Sequence, residues 1–397
     1  MCEVPLKLRE ANGRTDGVAV RRGRDMVRPM RPILTPLAQS LPSTVPFTGP
    51  EALERRTGVR FRARVGANES GFGPSPRVIE TITAAAGDVW MYGDPEVHDL
   101  RQALGAHLGI PAANIAIGEG IDGLHCLIAR LITEPGDVAV TSLGAYPTFN
   151  YHVAGFGGRV VAVPYSRHHE DLAALADAAR SERAKVIYLS NPDNPMGTWW
   201  SAPELERFIA DVPEETLILL DEAYCETAPA GTLPPLDITR PNLIRTRTFS
   251  KAYGLAGMRV GYAIGEATFI QAFDKVRNHF GVTRLGQAAA IAALADQDWL
   301  SEVVAKVAAG RDRLYAIAQR SGLASIPSAT NFVAVDCGHD GDYAMRVLKA
   351  LEARGVFVRK PMAPGLDRHI RITVGRPEEM DIVAEELPAA LRQADEA

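Results

Sequence analysis

The chain has 397 residues, 46% hydrophobic and 23% charged, which is long enough for two domains or one large α/β unit with a satellite. Its 48 acidic against 43 basic residues leave a net charge of −5, so neither nucleic acid nor an anionic membrane is expected as a partner. Cys2, Cys126, Cys225 and Cys337 form no CxxC pair and the nine histidines show no ligand spacing, which argues against a disulfide framework and against a metal site. No apolar run reaches the ~20 residues that span a bilayer. The arginine-rich N-terminus carries Glu3, Glu10 and Asp16 without an apolar core, so it does not read as a secretory signal. A cytoplasmic protein is expected.

In chain order, residues 1–31 are polar, aperiodic and read as disordered. Prolines from Pro32 to Pro50 recur too often for a helix or a central strand, which predicts an extended arm and then a short helical turn over Glu51–Arg56. Arg64–Ala67 reads as a strand entering the turn-rich run Asn68-Glu69-Ser70-Gly71-Phe72-Gly73-Pro74-Ser75-Pro76. Met91-Tyr92-Gly93-Asp94-Pro95 precedes an amphipathic helix over Glu96–Leu108.

Asn114–Ile117 reads as a strand, then Gly118-Glu119-Gly120-Ile121-Asp122-Gly123 opens a helix to about Leu131. This is literally G-x-G-x-x-G, the dinucleotide fingerprint, although it lies far from the N-terminus and lacks a clear second strand ending in a ribose-binding acid. Any phosphate ligand would gain from those glycines and that helix N-terminus. Strands are also predicted at Val138–Val140, at Ala184–Ser190 before Asn191-Pro192-Asp193-Asn194-Pro195-Met196-Gly197, and at Leu217–Leu220 before Asp221-Glu222-Ala223-Tyr224. An aspartate at the carboxyl end of a parallel strand lies where α/β ligands bind.

Arg247 to Tyr262 then sets Lys251 among hydroxyls and glycines. A lysine that attacks a carbonyl must be neutral, which needs a pocket that lowers its pKa. Thr248, Ser250 and Arg259 are donors for an anion, and Gly254 and Gly257 let the backbone turn closely. Helix is predicted over Phe269–Val276, and one long apolar-periodic stretch over Leu285–Ser321 leads to a C-terminal domain. That domain has strands at Phe332–Val335, Val356–Val358 and Ile370–Val374, with helices near Tyr343–Arg354 and Glu378–Arg392. In Ile370-Arg371-Ile372-Thr373-Val374, Arg371 and Thr373 share one face of the strand, and an arginine there suits a carboxylate or phosphate.

These motifs together closely resemble the signature of fold-type I pyridoxal-phosphate enzymes, in the branch containing histidinol-phosphate aminotransferase. The runs at Asn68–Pro76, Met91–Pro95 and Asn191–Gly197 resemble that branch's N-E-N-P-x-G-P-S-P, R-Y-P-D-P and N-P-N-N-P-T-G, and Ser328–Phe332 and Arg371–Gly375 resemble its S-x-x-N-F and R-I-T-V-G. Departures stand at Ser70, Gly71, Met91, Gly93, Ile121, Gly123 and Met196. The resemblance implies an α/β fold: a large cofactor-binding domain over 75–285 with a mostly parallel seven-stranded sheet, and a smaller α+β domain from 46–74 and 286–397. Residues 1–45 would form an N-terminal arm. Homodimers with shared active sites are implied.

The resemblance makes Lys251 the residue that bonds the pyridoxal 5′-phosphate aldehyde, Asp221 the partner of the pyridine nitrogen, and Tyr224 and Asn194 the partners of the phenolic oxygen. Gly120, Ile121, Asp122, Thr248, Ser250 and Arg259 would hold the phosphate, with Tyr92 reaching in from the neighbouring subunit. Tyr146 is the favoured stacking ring, with Phe149 as the alternative register. Arg371, Arg359, Asn68 and Asn331 would face substrate. The implied reaction moves an amino group between an amino donor and a 2-oxo acid, with histidinol phosphate and 2-oxoglutarate favoured. Aromatic or other amino acids, a decarboxylase of the threonine-phosphate type, a non-catalytic cofactor-sensing regulator and, from the glycine motif, an NAD-dependent dehydrogenase are the alternatives.

Overall fold

The computed structural model describes residues 33–42 and 47–396. The polar segment 1–31, expected to be disordered, lies outside the described residues. Within residues 1–40 the described part holds one short helix, α1 (Pro36–Ser40), where an extended arm was expected. A proline at the first helical position loses no hydrogen bond, because that N–H has no intrahelical partner.

The body from Leu41 onward starts with α2 (Pro50–Thr57), ended by Gly58 in the left-handed region, and a two-residue strand β1 (Ala63–Arg64). Helices α3 (Pro76–Ala85) and α4 (His98–Leu108) precede the main sheet. Its strands are β2 (Ile115–Gly118), β3 (Val138–Ser142), β4 (Arg159–Val163), β5 (Val186–Ser190), β6 (Leu217–Asp221), β7 (Leu243–Thr248) and β8 (Gly261–Ile264). Their order is β2-β8-β7-β6-β5-β3-β4. β8 pairs antiparallel with both β2 and β7, and the pairs from β7 through β4 are parallel.

Strand β6, Leu-Ile-Leu-Leu-Asp, is buried along its whole length, as a central parallel strand covered on both faces must be. On one face Val186, Tyr188, Leu217 and Leu219 pack under α5 (Gly120–Ile132) and α6 (Thr148–Gly155). On the other, Ile187, Leu189, Ile218 and Leu220 pack under α7 (Leu172–Glu182) and α8 (Ala202–Asp211). Strand β2, which leads into the glycine motif, sits at the sheet edge beside a reversed strand. That is not the placement of a dinucleotide fold's first strand, which lies inside a parallel sheet.

After β8 come α9 (Ala267–Ala272), α10 (Arg284–Leu294) and α11 (Gln297–Arg320). The apolar-periodic stretch read over Leu285–Ser321 is two helices, separated at Ala295–Asp296, where Asp296 caps the backbone N–H of Trp299 at 3.2 Å. The C-terminal part adds β9 (Ala324–Ser325), β10 (Phe332–Asp336), α12 (Gly341–Ala353), β11 (Val356–Phe357), β12 (His369–Thr373) and α13 (Pro377–Asp395). Strands β12, β10 and β9 form an antiparallel sheet, while β1 pairs in parallel with β11. Ala63 and Val65 thus enter the same apolar core as Val333, Val347, Ile370 and Leu387.

Candidate active site

The carboxyl ends of β3, β5, β6 and β7 and the N-terminus of α5 surround a cavity of about 560 Å³, which the C-terminal strand β12 closes with Arg371. Because β8 runs back along β7, the loop from Phe249 to Val260 leaves and re-enters the same end of the sheet and carries both Lys251 and Arg259. Gly254 donates to the Lys251 carbonyl at 2.9 Å and adopts φ 71°. A Cβ there would stand 2.4 Å from the Gly73 carbonyl oxygen, so the Asn68–Pro76 turn packs directly on the lysine loop.

Burial, then the charge of Arg371, lowers the Lys251 pKa to about 8, so a useful fraction of the amine is neutral near physiological pH. Asp221 is 4% exposed, and burial pushes its carboxyl up to about 7 against the hydrogen bonds that lower it. Its Oδ2 accepts from the Tyr188 hydroxyl at 2.9 Å and its Oδ1 from the Ala223 N–H at 3.0 Å. The Asn68 amide donates to the Tyr224 hydroxyl oxygen at 2.9 Å, which leaves the Tyr224 O–H free to donate elsewhere. Burial raises the Tyr224 pKa and keeps that proton in place.

Arg371 donates to the Asn194 Oδ1 and, at 3.1 Å, to the Gly66 carbonyl, and its guanidinium lies 5.1 Å from the Phe332 ring centre. With its oxygen engaged, Asn194 keeps its NH₂ for another acceptor. Arg359 is bridged to Arg371 through the backbone and rests on the Phe357 ring at 5.0 Å. Below Lys251, the Thr248 hydroxyl donates to Ser250 Oγ at 2.9 Å, and Arg259 approaches the same oxygen at 3.5 Å. Gly120 has φ 74°, and a Cβ on it would lie 2.5 Å from Arg259 Nη2. The helix start and the guanidinium therefore form one concave surface of N–H donors and positive charge, fitted to an anion.

Of the residues expected from the sequence, Asn68, Ile121, Asp122, Tyr146, Asn194, Asp221, Tyr224, Thr248, Ser250, Lys251, Arg259, Arg359 and Arg371 line this cavity, with Gly120 adjoining it. Phe149 is fully buried in the sheet core against Tyr188, whereas Tyr146 faces the cavity and stacks on Phe47 at 5.6 Å and 16°.

Two expected residues lie elsewhere. Tyr92 is 76% exposed and packs on Phe280 at 4.7 Å, outside the cavity of its own chain. Asn331 is buried behind the wall and donates to the backbone carbonyls of Asn68 and Glu69, so it braces the turn and does not line the cavity.

Sequence reasoning missed Phe47, Glu69 and Tyr188 as lining residues. For Tyr188 a signal existed: it is two residues from Ser190 on one strand and so shares its face. For Phe47, in an aperiodic proline-rich segment, none did.

The aminotransferase class I and II family model matches residues 64–387. This chain belongs to the class I and II aminotransferases. It is 37% identical over 343 residues to histidinol-phosphate aminotransferase 2 of Carboxydothermus hydrogenoformans, covering 85% of this chain and 94% of that one. It is 39% identical over 332 residues to histidinol-phosphate aminotransferase 1 of Nitrosococcus oceani, covering 83% and 89%. The crystal structure of histidinol-phosphate aminotransferase from Sinorhizobium meliloti, in complex with pyridoxal-5′-phosphate, is similar with a TM-score of 0.89 and 57% identity over 92% of this chain and 99% of that one.

The aminotransferase family uses pyridoxal 5′-phosphate, and so does this member. Its residues fit that group: a donor cradle that a single Cβ at Gly120 would fill, a lysine with a lowered pKa and a buried aspartate. No group of three or more His, Cys, Asp or Glu side chains able to hold a metal occurs among the described residues.

Proposed function

We propose that this aminotransferase takes the amino group of histidinol phosphate and passes it to a 2-oxo acid such as 2-oxoglutarate. The observation that carries this reading is the pairing of Arg371 with Arg359 in the same cavity as a separate phosphate cradle around Arg259. One anion site serves the cofactor, and the other remains for substrate. Arg371 can take the phosphate of the amino donor and the carboxylate of the acceptor in turn, because its planar fork suits both. The relatives named above, including the 57% identical structure, support the choice of donor.

When bound, pyridoxal 5′-phosphate supplies an aldehyde for the amino group and a ring that accepts electron density as the substrate C–H bond breaks. Ile121 and Asp122 at the start of α5, with Thr248, Ser250 and Arg259, would hold its phosphate. Tyr146 would lie on its ring, and Asp221 would keep the ring nitrogen protonated. Tyr224 and Asn194 would donate to its phenolic oxygen through the hydrogens their other contacts leave free. Lys251, as a neutral amine, would take the proton from the substrate carbon and deliver it to the cofactor's former aldehyde carbon, on the other side of the nitrogen. Such general acid–base assistance is worth ~10²–10⁴ in rate.

The reading includes a homodimer, supported by an exposed apolar surface of Val89, Trp90, Tyr92 and Phe280, with Tyr92 entering the neighbour's site. It also divides the chain into a large domain over 75–285 and a smaller one from 46–74 and 286–397, supported by the separate seven-stranded and three-stranded sheets. A cytoplasmic location is part of the same reading, supported by the free thiols Cys126, Cys225 and Cys337. No helix among the described residues is long and apolar enough to cross a membrane.

The test is a single half-reaction of the loaded enzyme, followed by its visible spectrum, with histidinol phosphate, aromatic amino acids, arginine and glutamate offered separately. Conversion by histidinol phosphate at a kcat/KM at least tenfold above the aromatic amino acids is expected. Preferential conversion by another donor, or release of carbon dioxide, would overturn the assignment.

A further inference from the structure

Beside Asp221, the first turns of α5 bring in a buried histidine that the proposed reaction does not use. His125 has no exposed surface. Its Nε2 lies 3.3 Å from Thr246 Oγ1 and 3.9 Å from Asp221 Oδ2, and its Nδ1 has no partner. The ring stands edge-on to Tyr188 at 5.4 Å and to Phe149 at 5.9 Å, which fixes its plane.

Geometry also selects the tautomer. A neutral imidazole carries one N–H, and an N–H buried without an acceptor costs more than a buried lone pair without a donor. The hydrogen therefore belongs on Nε2, aimed at the Thr246 hydroxyl and the Asp221 carboxylate. Burial keeps the ring neutral, with a pKa lowered to about 3. Asp221 Oδ2 accepts from Tyr188 Oη at 2.9 Å from β5, and His125 Nε2 of α5 stands 3.9 Å from the same oxygen, beyond hydrogen-bond distance but close enough for its N–H dipole to act on the carboxylate. Both favour the ionised carboxylate in a place where burial alone disfavours it.

We infer that His125 is a positioning residue: through its Nε2–H, directed at Thr246 and Asp221, it keeps Asp221 oriented and ionised, and so keeps the bound ring nitrogen protonated. α5 then serves both ends of the cofactor, its first N–H groups at the phosphate and its second turn at the partner of the ring nitrogen. The inference rests on Asp221 as that partner.

The experiment is ¹⁵N NMR of the holoenzyme loaded with ring-¹⁵N-labelled cofactor, for the wild type, His125→Leu, His125→Gln, Thr246→Val and Asp221→Asn, with thermal midpoints recorded alongside. A protonated ring-nitrogen signal in the wild type, lost in Asp221→Asn, verifies the underlying reading, and its absence refutes that reading without involving His125. Given that signal, His125→Leu is expected to move it toward the Asp221→Asn position and to lower kcat about tenfold with KM within twofold. His125→Gln, whose amide keeps a donor, restores both. A wild-type signal in a folded His125→Leu enzyme overturns the inference. If that variant does not fold, Thr246→Val decides, since it removes the hydroxyl that holds the His125 Nε2–H in place: a shifted signal supports the inference and an unshifted one overturns it.

Discussion

At the scale of single residues, the site depends on how burial moves protons. Lys251 titrates at about 8 in the site without cofactor, so its capture of added pyridoxal 5′-phosphate should speed up as pH rises through about 8 and level off above it. Stopped-flow absorbance measures this, and a rate independent of pH between 6 and 10 would contradict a buried, electropositive lysine. Lys251→Ala should still bind the cofactor without a covalent link and lose at least ~10²–10⁴ in turnover.

A second buried acid works against stability. Asp193, in the loop that presents Asn194, is pushed by burial up to about 7, and Glu170 beside it is raised as well. An acid whose pKa is higher folded than unfolded stabilises the fold fully at low pH, and that contribution fades as pH rises through the folded value. The wild type should therefore lose stability between about pH 4 and pH 7 from this group. Asp193→Asn should flatten that loss, because an amide oxygen can still accept from the Met196 N–H while its NH₂ faces the Tyr165 hydroxyl. Urea denaturation at pH 5 and pH 8 reads the difference.

At the scale of elements, β5 and β6 were legible because they are unbroken apolar runs ending in polar residues, Val186–Ser190 and Leu217–Asp221, whereas β7, Leu-Ile-Arg-Thr-Arg-Thr, carries two arginines and was not read as a strand, and the count of seven came from the resemblance. The residues at their carboxyl ends were legible for the same reason: α/β ligands collect there. What pairs over long sequence distances was not legible, such as β1 beside β11 or the Tyr188 hydroxyl on Asp221, since neither periodicity nor spacing encodes it. The break between α10 and α11 was missed because alanines continue the helical period straight through the capping aspartate.

Two expectations belong at this scale. Gly120→Ala at the start of α5 meets the Arg259 guanidinium at 2.5 Å and adds left-handed strain, of order 1–2 kcal/mol. Cofactor affinity by spectrophotometric titration should fall at least tenfold. Between β6 and β7, Glu222 is fully buried and accepts from Arg245 Nε at 3.0 Å and Arg247 Nε at 2.8 Å. Against burial, which pushes it up, Arg247 and Arg245 hold its carboxyl below the usual range. Glu222→Gln leaves two buried guanidiniums short of a counter-charge and should cost about 3–5 kcal/mol in denaturant unfolding.

At the scale of the whole molecule, Val89, Trp90, Tyr92 and Phe280 form an apolar surface too exposed to be idle in an isolated chain. For the proposed dimer, Trp90→Asp should yield a monomer in light scattering and reduce activity together with cofactor retention. A Trp90→Asp enzyme that remains dimeric and active would show that this face is not the interface. The reversal of β8 has a consequence of another kind. Because the chain turns back after β7, Lys251 and Arg259, the proposed covalent and phosphate anchors, belong to one short loop and keep a fixed separation. A ligand seated by its phosphate then meets the amine at high effective concentration, and bond formation becomes an intramolecular event. Pyridoxal lacking the phosphate offers the same aldehyde without that advantage. The loop acts as a ruler that admits one length of molecule.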